Sequence, residues 1–231
     1  MAKDMEARLK TVSHYDEAYY GGHYGPVLNS EKNCRLLSLY WRDVLFVRNG
    51  LSTHGKVLDY GCGLGQVSAT LPDTVCFDVS SFALSELRKR GRIVIESRDE
   101  IPHRAFDYLL SSHSLEHSPT PYQDLQEFRL YVRQEGRLVL VLPIETNMRP
   151  ALQADWNQHL QVWTFQTITN LLLATGWVPL CQSIVYGPFL LRTLGRWLPE
   201  EWAVQGAFRF GLLRRGCPSM LTIARLSESP D

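Results

Sequence analysis

One stretch constrains this chain more than any other. Residues 57–65, "VLDYGCGLG", place three glycines at alternate positions directly behind an apolar run and an aspartate. Glycine weakens regular structure, so such a cluster marks a turn that needs left-handed dihedrals, or a backbone that something must approach closely. A buried strand that empties into a turn of this kind is the opening unit of an open α/β sheet, whose ligands sit beyond the carboxyl ends of the strands.

The rest of the chain follows the same plan. "TVCFDVS" is a second short apolar run, followed by the amphipathic "SFALSELRKR", which Ser80 or Ser81 can cap. "RIVIE" and "FDYLLSS" read as further strands, "YQDLQEFRLYVRQ" as a helix and "GRLVLVLP" as another strand. The runs do not alternate strictly, as expected for strands covered on both faces. "TFQTITNLLLATGW" reads as a helix with a glycine stop, "VPLCQSIVYG" as a strand, residues 188–215 as a helical insertion and "SMLTIARL" as the closing strand. Ahead of the first strand, Leu36, Leu39, Tyr40, Val44 and Val47 recur at helical spacing, with Ser30 placed to cap that helix and Gly50 beyond its end. Alternating strands and helices predict an α/β class with a mainly parallel sheet. No Pro/Ser-rich linker divides the chain, so residues 1–231 are expected to form one domain. Its parts are a helical cap over 1–50, a core over 51–143, a loop over 144–163 for substrate and the insertion over 188–215.

Composition removes several function classes. Apolar residues make up 45% of the chain, enough to bury a core, and the 24 Lys and Arg balance 24 Asp and Glu. A neutral chain lacks the field that draws phosphate backbones, so nucleic acid is not an expected partner. No apolar run reaches the roughly 18 residues of a membrane span, and the charged "MAKDMEARLK" has no signal-peptide core. Membrane contact is not expected. The five cysteines are odd in number, widely spaced and without a Cys-x-x-Cys pair, which predicts reduced thiols in the cytoplasm and no metal centre.

The turn also excludes two ligands. After Gly65 stands Gln66, so the G-x-G-x-x-G fingerprint of dinucleotide sites fails; no lysine follows, so a P-loop fails too. What stands nearby is Asp78, at the end of the second strand, where a carboxylate can accept from both hydroxyls of a ribose, with Val79 beside the base. This set suits a nucleoside without phosphates that carries a polar amino-acid tail.

Taken in order, "VLDYGCGLG", "FDVS", "FDYLLSSHSLEH", "GRLVLVLP" and "HLQVWTFQTITNLLLATGW" resemble the class I S-adenosylmethionine-dependent methyltransferases, in the small-molecule branch that includes quinone-biosynthesis and sugar methyltransferases. The resemblance covers residues 56–177, about half the chain. It implies a Rossmann-like, seven-stranded sheet with helices on both faces, an antiparallel last strand, an N-terminal helical lid, and S-adenosyl-L-methionine lying across the ends of strands one to four. It also implies a set of cofactor residues. Asp59, Gly61, Cys62, Gly63, Gly65 and Gln66 would hold the methionyl end, with Asp78 on the ribose and Val79, Ser97 and Arg98 toward the adenine. Ser112 and Tyr19 complete the set. The departure lies at "ESRDEIP", where Ser97 or Arg98 stands in place of the family's acidic residue.

Methyl transfer to oxygen needs a group to take a proton, and histidine suits neutral pH. His113, His117 and His159 are the candidates for base or acceptor ligand. His113 equally suits a backbone-bonded loop histidine, and His159 a loop anchor; Glu116 reads as structural. Tyr15 and Tyr19 stand four residues apart, on one face of a short helix that the resemblance makes a lid hinged at the glycine pair in "HYDEAYYGGHYG"; packing against the domain is the alternative. The expected activity is transfer of a methyl group to a small-molecule acceptor, at oxygen, with sugar- and lipid-linked compounds among the candidates. The insertion reads as a pocket cover or a homodimer contact. The rival is a non-catalytic cofactor-binding or interaction module that retains the fold.

Overall fold

The computed structural model describes residues 15–28, 30–145, 157 and 159–228, without the side chains of 23 and 26–28. Most of the 144–163 loop therefore lies outside the described residues. Seven strands form one sheet: β1 (Val57–Tyr60), β2 (Thr74–Phe77), β3 (Ile93–Ile95), β4 (Phe106–Ser112), β5 (Val132–Pro143), β6 (Trp177–Tyr186) and β7 (Pro218–Leu226). Their order is β3-β2-β1-β4-β5-β7-β6. The pairs β1–β2, β1–β4, β2–β3 and β4–β5 are parallel, whereas β7 runs antiparallel to both β5 and β6. This is the Rossmann-like sheet with an antiparallel last strand that the family resemblance implies.

Helices cover both faces. On one, α4 (Pro121–Tyr131) and α5 (Phe165–Ala174) bury Leu125, Phe128, Ile168 and Leu172 against Leu58, Phe106, Leu138 and Leu140. On the other, α2 (Glu31–Leu45) presents Leu36, Tyr40 and Val44 to Val57, Val139 and Val141. All four residues of β1 and of β2 are buried, which is why neither strand alternates in sequence. Local signals place the ends of the helices. Ser30 accepts from the Asn33 N–H and starts α2; Ser80, not Ser81, caps α3 (Ser81–Lys89) by accepting from the Ala83 N–H. Thr164 and Thr167 form a capping box at the start of α5.

Three boundaries differ from the sequence expectation. The helix in "YQDLQEFRLYVRQ" ends at Tyr131, because buried Val132 takes an extended conformation and pairs with Phe106. β5 is correspondingly longer at its start. The crossover from β1 to β2 consists of turns over 61–70 and carries no helix, since Ser, Thr and Pro72 give "QVSATLPD" little helical preference. The lid element α1 (Glu17–Leu28) is helical through Gly21 and Gly22, and its break falls at Tyr24.

The insertion is a structural layer of the sheet, not a lid. Its helices α6 (Leu191–Trp197) and α7 (Glu200–Arg214) pack on α2, with Ala203, Val204 and Ala207 buried in the same core as Leu36 and Tyr40. Tyr40 Oη donates to the Tyr186 carbonyl at 2.7 Å, Arg35 pairs with Glu200 at 3.0 Å, and the Arg48 guanidinium sits 3.5 Å over the Phe208 ring. At the opposite face, Trp177 is fully buried and its Nε1 donates to the Leu125 carbonyl at 2.8 Å, locking α4 to the β6 edge. Trp177→Ala is expected to cost about 3–5 kcal/mol through the cavity and the lost hydrogen bond, read as a lower urea midpoint at unchanged slope.

Candidate active site

The sheet order makes a crevice. From β1 the chain proceeds to β2 and β3 on one side, then returns to β4 and β5 on the other. Connections leaving the carboxyl ends of β1 and β4 therefore diverge, and a cavity of about 580 Å³ opens there. Its wall includes Asp59, Gly61, Cys62, Gly63 and Gln66 after β1, Asp78 and Val79 after β2, and Ser112, His113 and His117 after β4.

The glycine turn is fixed by contacts that a side chain would forbid. Gly61 has φ +73°, and a Cβ there would lie 2.2 Å from Ser114 Oγ, on the loop after β4. Gly65 lies behind the wall, where its missing side chain lets Leu87 of α3 approach to 2.8 Å of the Cβ position. Asp78 ties the two strand ends together. Its Oδ2 accepts from the Gly63 N–H at 2.7 Å and its Oδ1 from the Ser80 N–H at 2.8 Å. With the Val79 N–H as a third backbone donor, the carboxylate keeps acceptor capacity for a ligand hydroxyl. Burial raises the Asp78 pKa, while the backbone donors of Ser80 and Gly63 pull the other way.

Asp59 is the unusual group. It is 1% exposed, and its Oδ2 has no hydrogen-bond partner among the described residues, although the residue reaches the cavity wall. Burial pushes its carboxyl up from 3.8 to about 6, against the pull of Ser68 and Arg92. A buried carboxylate with one idle oxygen is built to receive a donor, and a cationic one above all.

An aromatic lid lies over this floor. Tyr15, Tyr19, Tyr20 and Tyr24 all reach the cavity, joined by Leu37 and Trp41 of α2. The Tyr15 and Tyr19 rings meet edge to face at 5.2 Å, and Tyr20 stacks on Phe82 at 5.8 Å. Ser80 Oγ donates to the Tyr15 carbonyl at 2.5 Å, so the cap of α3 also holds down the start of the lid. Burial pushes the Tyr15 phenol up to about 12, with the charges of Asp78 and Glu116 adding to it.

The two adenine-side candidates separate. Arg98 is on the wall, but its guanidinium pairs with buried Asp124 at 2.8 Å and lies 5.5 Å from the Tyr60 ring centroid. Ser97 is off the wall, its hydroxyl accepting from the Asp99 N–H at 3.4 Å to start a short 3-10 turn. Of the insertion, Pro188 is the part that reaches the wall, which corrects the expectation that 188–215 covers the pocket.

The histidines converge. His113 follows β4 with φ +52°, a strained backbone for a non-glycine residue, and its Nε2 lies 3.1 Å from Ser219 Oγ on β7. Its Nδ1 lies 3.5 Å from the Glu116 carboxylate. Backbone bonds from Leu160 and Gln161 to the Glu116 carbonyl dock the 159–161 segment on this turn. That contact sets the His159 and His117 rings 4.8 Å apart. His159 itself is not on the cavity wall. Sequence reasoning missed Tyr20, Tyr24, Trp41 and Glu145 as neighbours of the site. The tyrosine repeat in "YDEAYYGGHY" was the one signal for them, since nothing in the spacing marks Trp41 or Glu145.

A methyltransferase-domain family profile matches residues 31–182. The chain belongs to the methyltransferases, of the class I S-adenosylmethionine-dependent kind, and S-adenosylmethionine is its cofactor. No protein of curated function matches the sequence. Among solved structures, the methyltransferase bound to the Haloferax volcanii Trm112 methyltransferase activator aligns with a TM-score of 0.67 at 14% identity, over 96% of this chain and 100% of that one. Burkholderia thailandensis 1,6-didemethyltoxoflavin-N1-methyltransferase, solved with its substrate and S-adenosylhomocysteine, gives 0.60 at 19% identity, over 94% and 87%. The [4+2]-cyclase SpnF gives 0.57 at 17%, over 85% and 81%. At these identities the likeness is one of fold.

The raised Asp59 pKa makes stability depend on pH. Below 3.8 both folded and unfolded chains carry the proton, and above about 6 neither does. Between those values the folded chain holds it more tightly, so stability falls as pH rises, by on the order of 3 kcal/mol. Urea titrations of wild type and Asp59→Asn between pH 4 and 7 should show this downward slope in the wild type and its loss in the variant.

Proposed function

We propose that this methyltransferase acts on a small molecule and transfers the methyl group to an oxygen. The observation that carries this reading is the cavity, where a hydrogen-bonded glycine turn, Asp59, Asp78 and two histidines share one wall. Its volume, about 580 Å³, lies within the roughly 300–1,000 Å³ usual for small-molecule sites.

The residues fit the cofactor. Asp59 would take the cationic amino group of the methionyl tail, where its unpartnered Oδ2 has no other donor among the described residues. Asp78, with its remaining acceptor capacity, would accept from the ribose, beside the apolar surface of Val79. Cys62, Gln66 and Ser112 complete the wall at the methionyl end, and Tyr19 closes it from the lid. When bound, S-adenosylmethionine supplies an electrophilic methyl on a sulfonium that leaves as a neutral thioether. The chain's own task is then to orient the acceptor and take its proton. His113 is suited to the proton. Its Nδ1 faces Glu116, which fixes the ring, and its Nε2 faces the Ser219 hydroxyl. His117 would hold the acceptor, with His159 setting its ring from behind. We read residues 15–50 as a cap on a core that extends to the last strand, and the free cysteines as suited to the reducing cytoplasm.

Calorimetric titration with S-adenosylhomocysteine tests the cofactor half. Wild type should bind, and Asp78→Ala should weaken binding about 10- to 100-fold, the worth of charge-assisted hydrogen bonds. No heat from wild type at millimolar ligand would overturn the reading. Incubation with methyl-labelled cofactor and an acceptor pool tests the other half, since NMR separates a methyl on oxygen from one on nitrogen or carbon.

A further inference from the structure

We propose that Glu116, His117 and His159 form a binding site for a divalent transition-metal cation at the base of the cavity. Such a site needs these side chains alone and requires no methyl transfer. One ligand atom from each lies within 4.8 Å of the other two. Ligands about 2.0–2.1 Å from a tetrahedral ion stand about 3.4 Å apart, so small side-chain rotations close the set.

Glu116 is the strongest observation. It is 0% exposed, neither carboxylate oxygen has a hydrogen-bond partner among the described residues, and His113 Nδ1 stands 3.5 Å off without completing one. Burying a carboxylate without donors is costly, and a cation removes that cost. The placement of His159 points the same way. Its Nδ1 lies 2.5 Å from Glu145 Oε1, and a carboxylate only accepts, so Nδ1 carries the proton. On the other side of the ring, Nε2 lies 4.0 Å from the Glu116 carboxylate. Two potential ligand atoms face each other across a gap that a cation would fill. Glu145 behind His159 also supplies the carboxylate–histidine relay that orients metal-bound imidazoles.

Two imidazoles and one carboxylate suit Zn²⁺ and its first-row neighbours better than Mg²⁺ or Ca²⁺, which prefer oxygen. His117 lies on the cavity wall, so the remaining coordination positions of the ion would face the acceptor space. Spacing within the sequence hid the set, because Glu116 and His117 are adjacent while His159 arrives from beyond β5.

Titration of the full, metal-stripped chain with Co²⁺, followed by visible absorption and calorimetry, decides the matter. One equivalent should bind, with ligand-field bands of a nitrogen–oxygen site and no thiolate charge-transfer band. Glu116→Gln should abolish that site, and Glu145→Gln, a positioning change, should weaken it about tenfold. Binding of S-adenosylhomocysteine to each variant reports that the fold survives. If Glu116→Gln fails to fold, His159→Ala serves, with the same loss expected. The proposal is overturned if wild type takes up no Co²⁺ at millimolar concentration, as a simple imidazolium–carboxylate pair would require. Unchanged uptake by a folded Glu116→Gln or His159→Ala, or thiolate bands from ligation at Cys181 or Cys217, overturns it as well. Metal uptake is read without turnover, so its failure leaves the methyl-transfer reading intact, and the reverse holds too.

Discussion

The reversal of strand order at β1 is the constraint on which this molecule depends. A parallel strand flanked by β2 on one side and β4 on the other has to send its neighbours' connections apart, so a crevice at its carboxyl end is a consequence of topology. The Asp78 carboxylate then gives the crevice a rigid edge. By accepting from the Gly63 and Ser80 N–H groups, it joins the turn after β1 to the cap of α3. The same serine holds the start of the tyrosine lid through the Tyr15 carbonyl. One buried carboxylate and one capping hydroxyl thus register turn, helix and lid against each other.

The second face of the sheet shows how an apparent accessory becomes structural. The α6–α7 pair interrupts the last two strands in sequence, yet it completes a layer that α2 alone leaves open. Gly195 makes the fit possible, since a Cβ there would stand 2.5 Å from Leu36 Cδ1. Within the insertion Arg214 lies over the Phe189 ring, and Phe208 receives the guanidinium of Arg48 from outside it. Trp197 and Trp202 point away from that layer, at 83% and 70% exposure, and take no part in the cavity.

The cavity floor divides into two electrostatic halves. At one, Asp59 and Asp78 place two buried carboxylates near a turn whose backbone donors are only partly spent. At the other, Glu116 collects three histidines within a few ångströms. Methyl transfer uses such a division, because a cationic donor has to sit beside an acceptor that gives up a proton. The strained backbone of His113 lies at the junction of the two.

Local chemistry makes much of this legible in the order of residues alone. The glycine turn, the capping serines at 30 and 80, and the doubly covered strands follow from dihedral limits, hydrogen-bond satisfaction and burial, all of which act over a few residues. Asp59 and Asp78 are identifiable because each lies within one residue of the end of a strand, a position that sequence encodes. Contacts between distant segments are not legible in that way. Whether Val132 ends a helix or begins a strand depends on Phe106 being there to pair with it. Whether His159 meets Glu116 and His117 depends on two backbone bonds closing a long loop, and whether 188–215 covers the pocket or the sheet depends on the shape of Leu36. The sequence by itself determined the strands, the turn and the carboxylates that flank it. Only the tertiary structure decided which side chains share the cavity, because packing between remote segments obeys shape and not spacing.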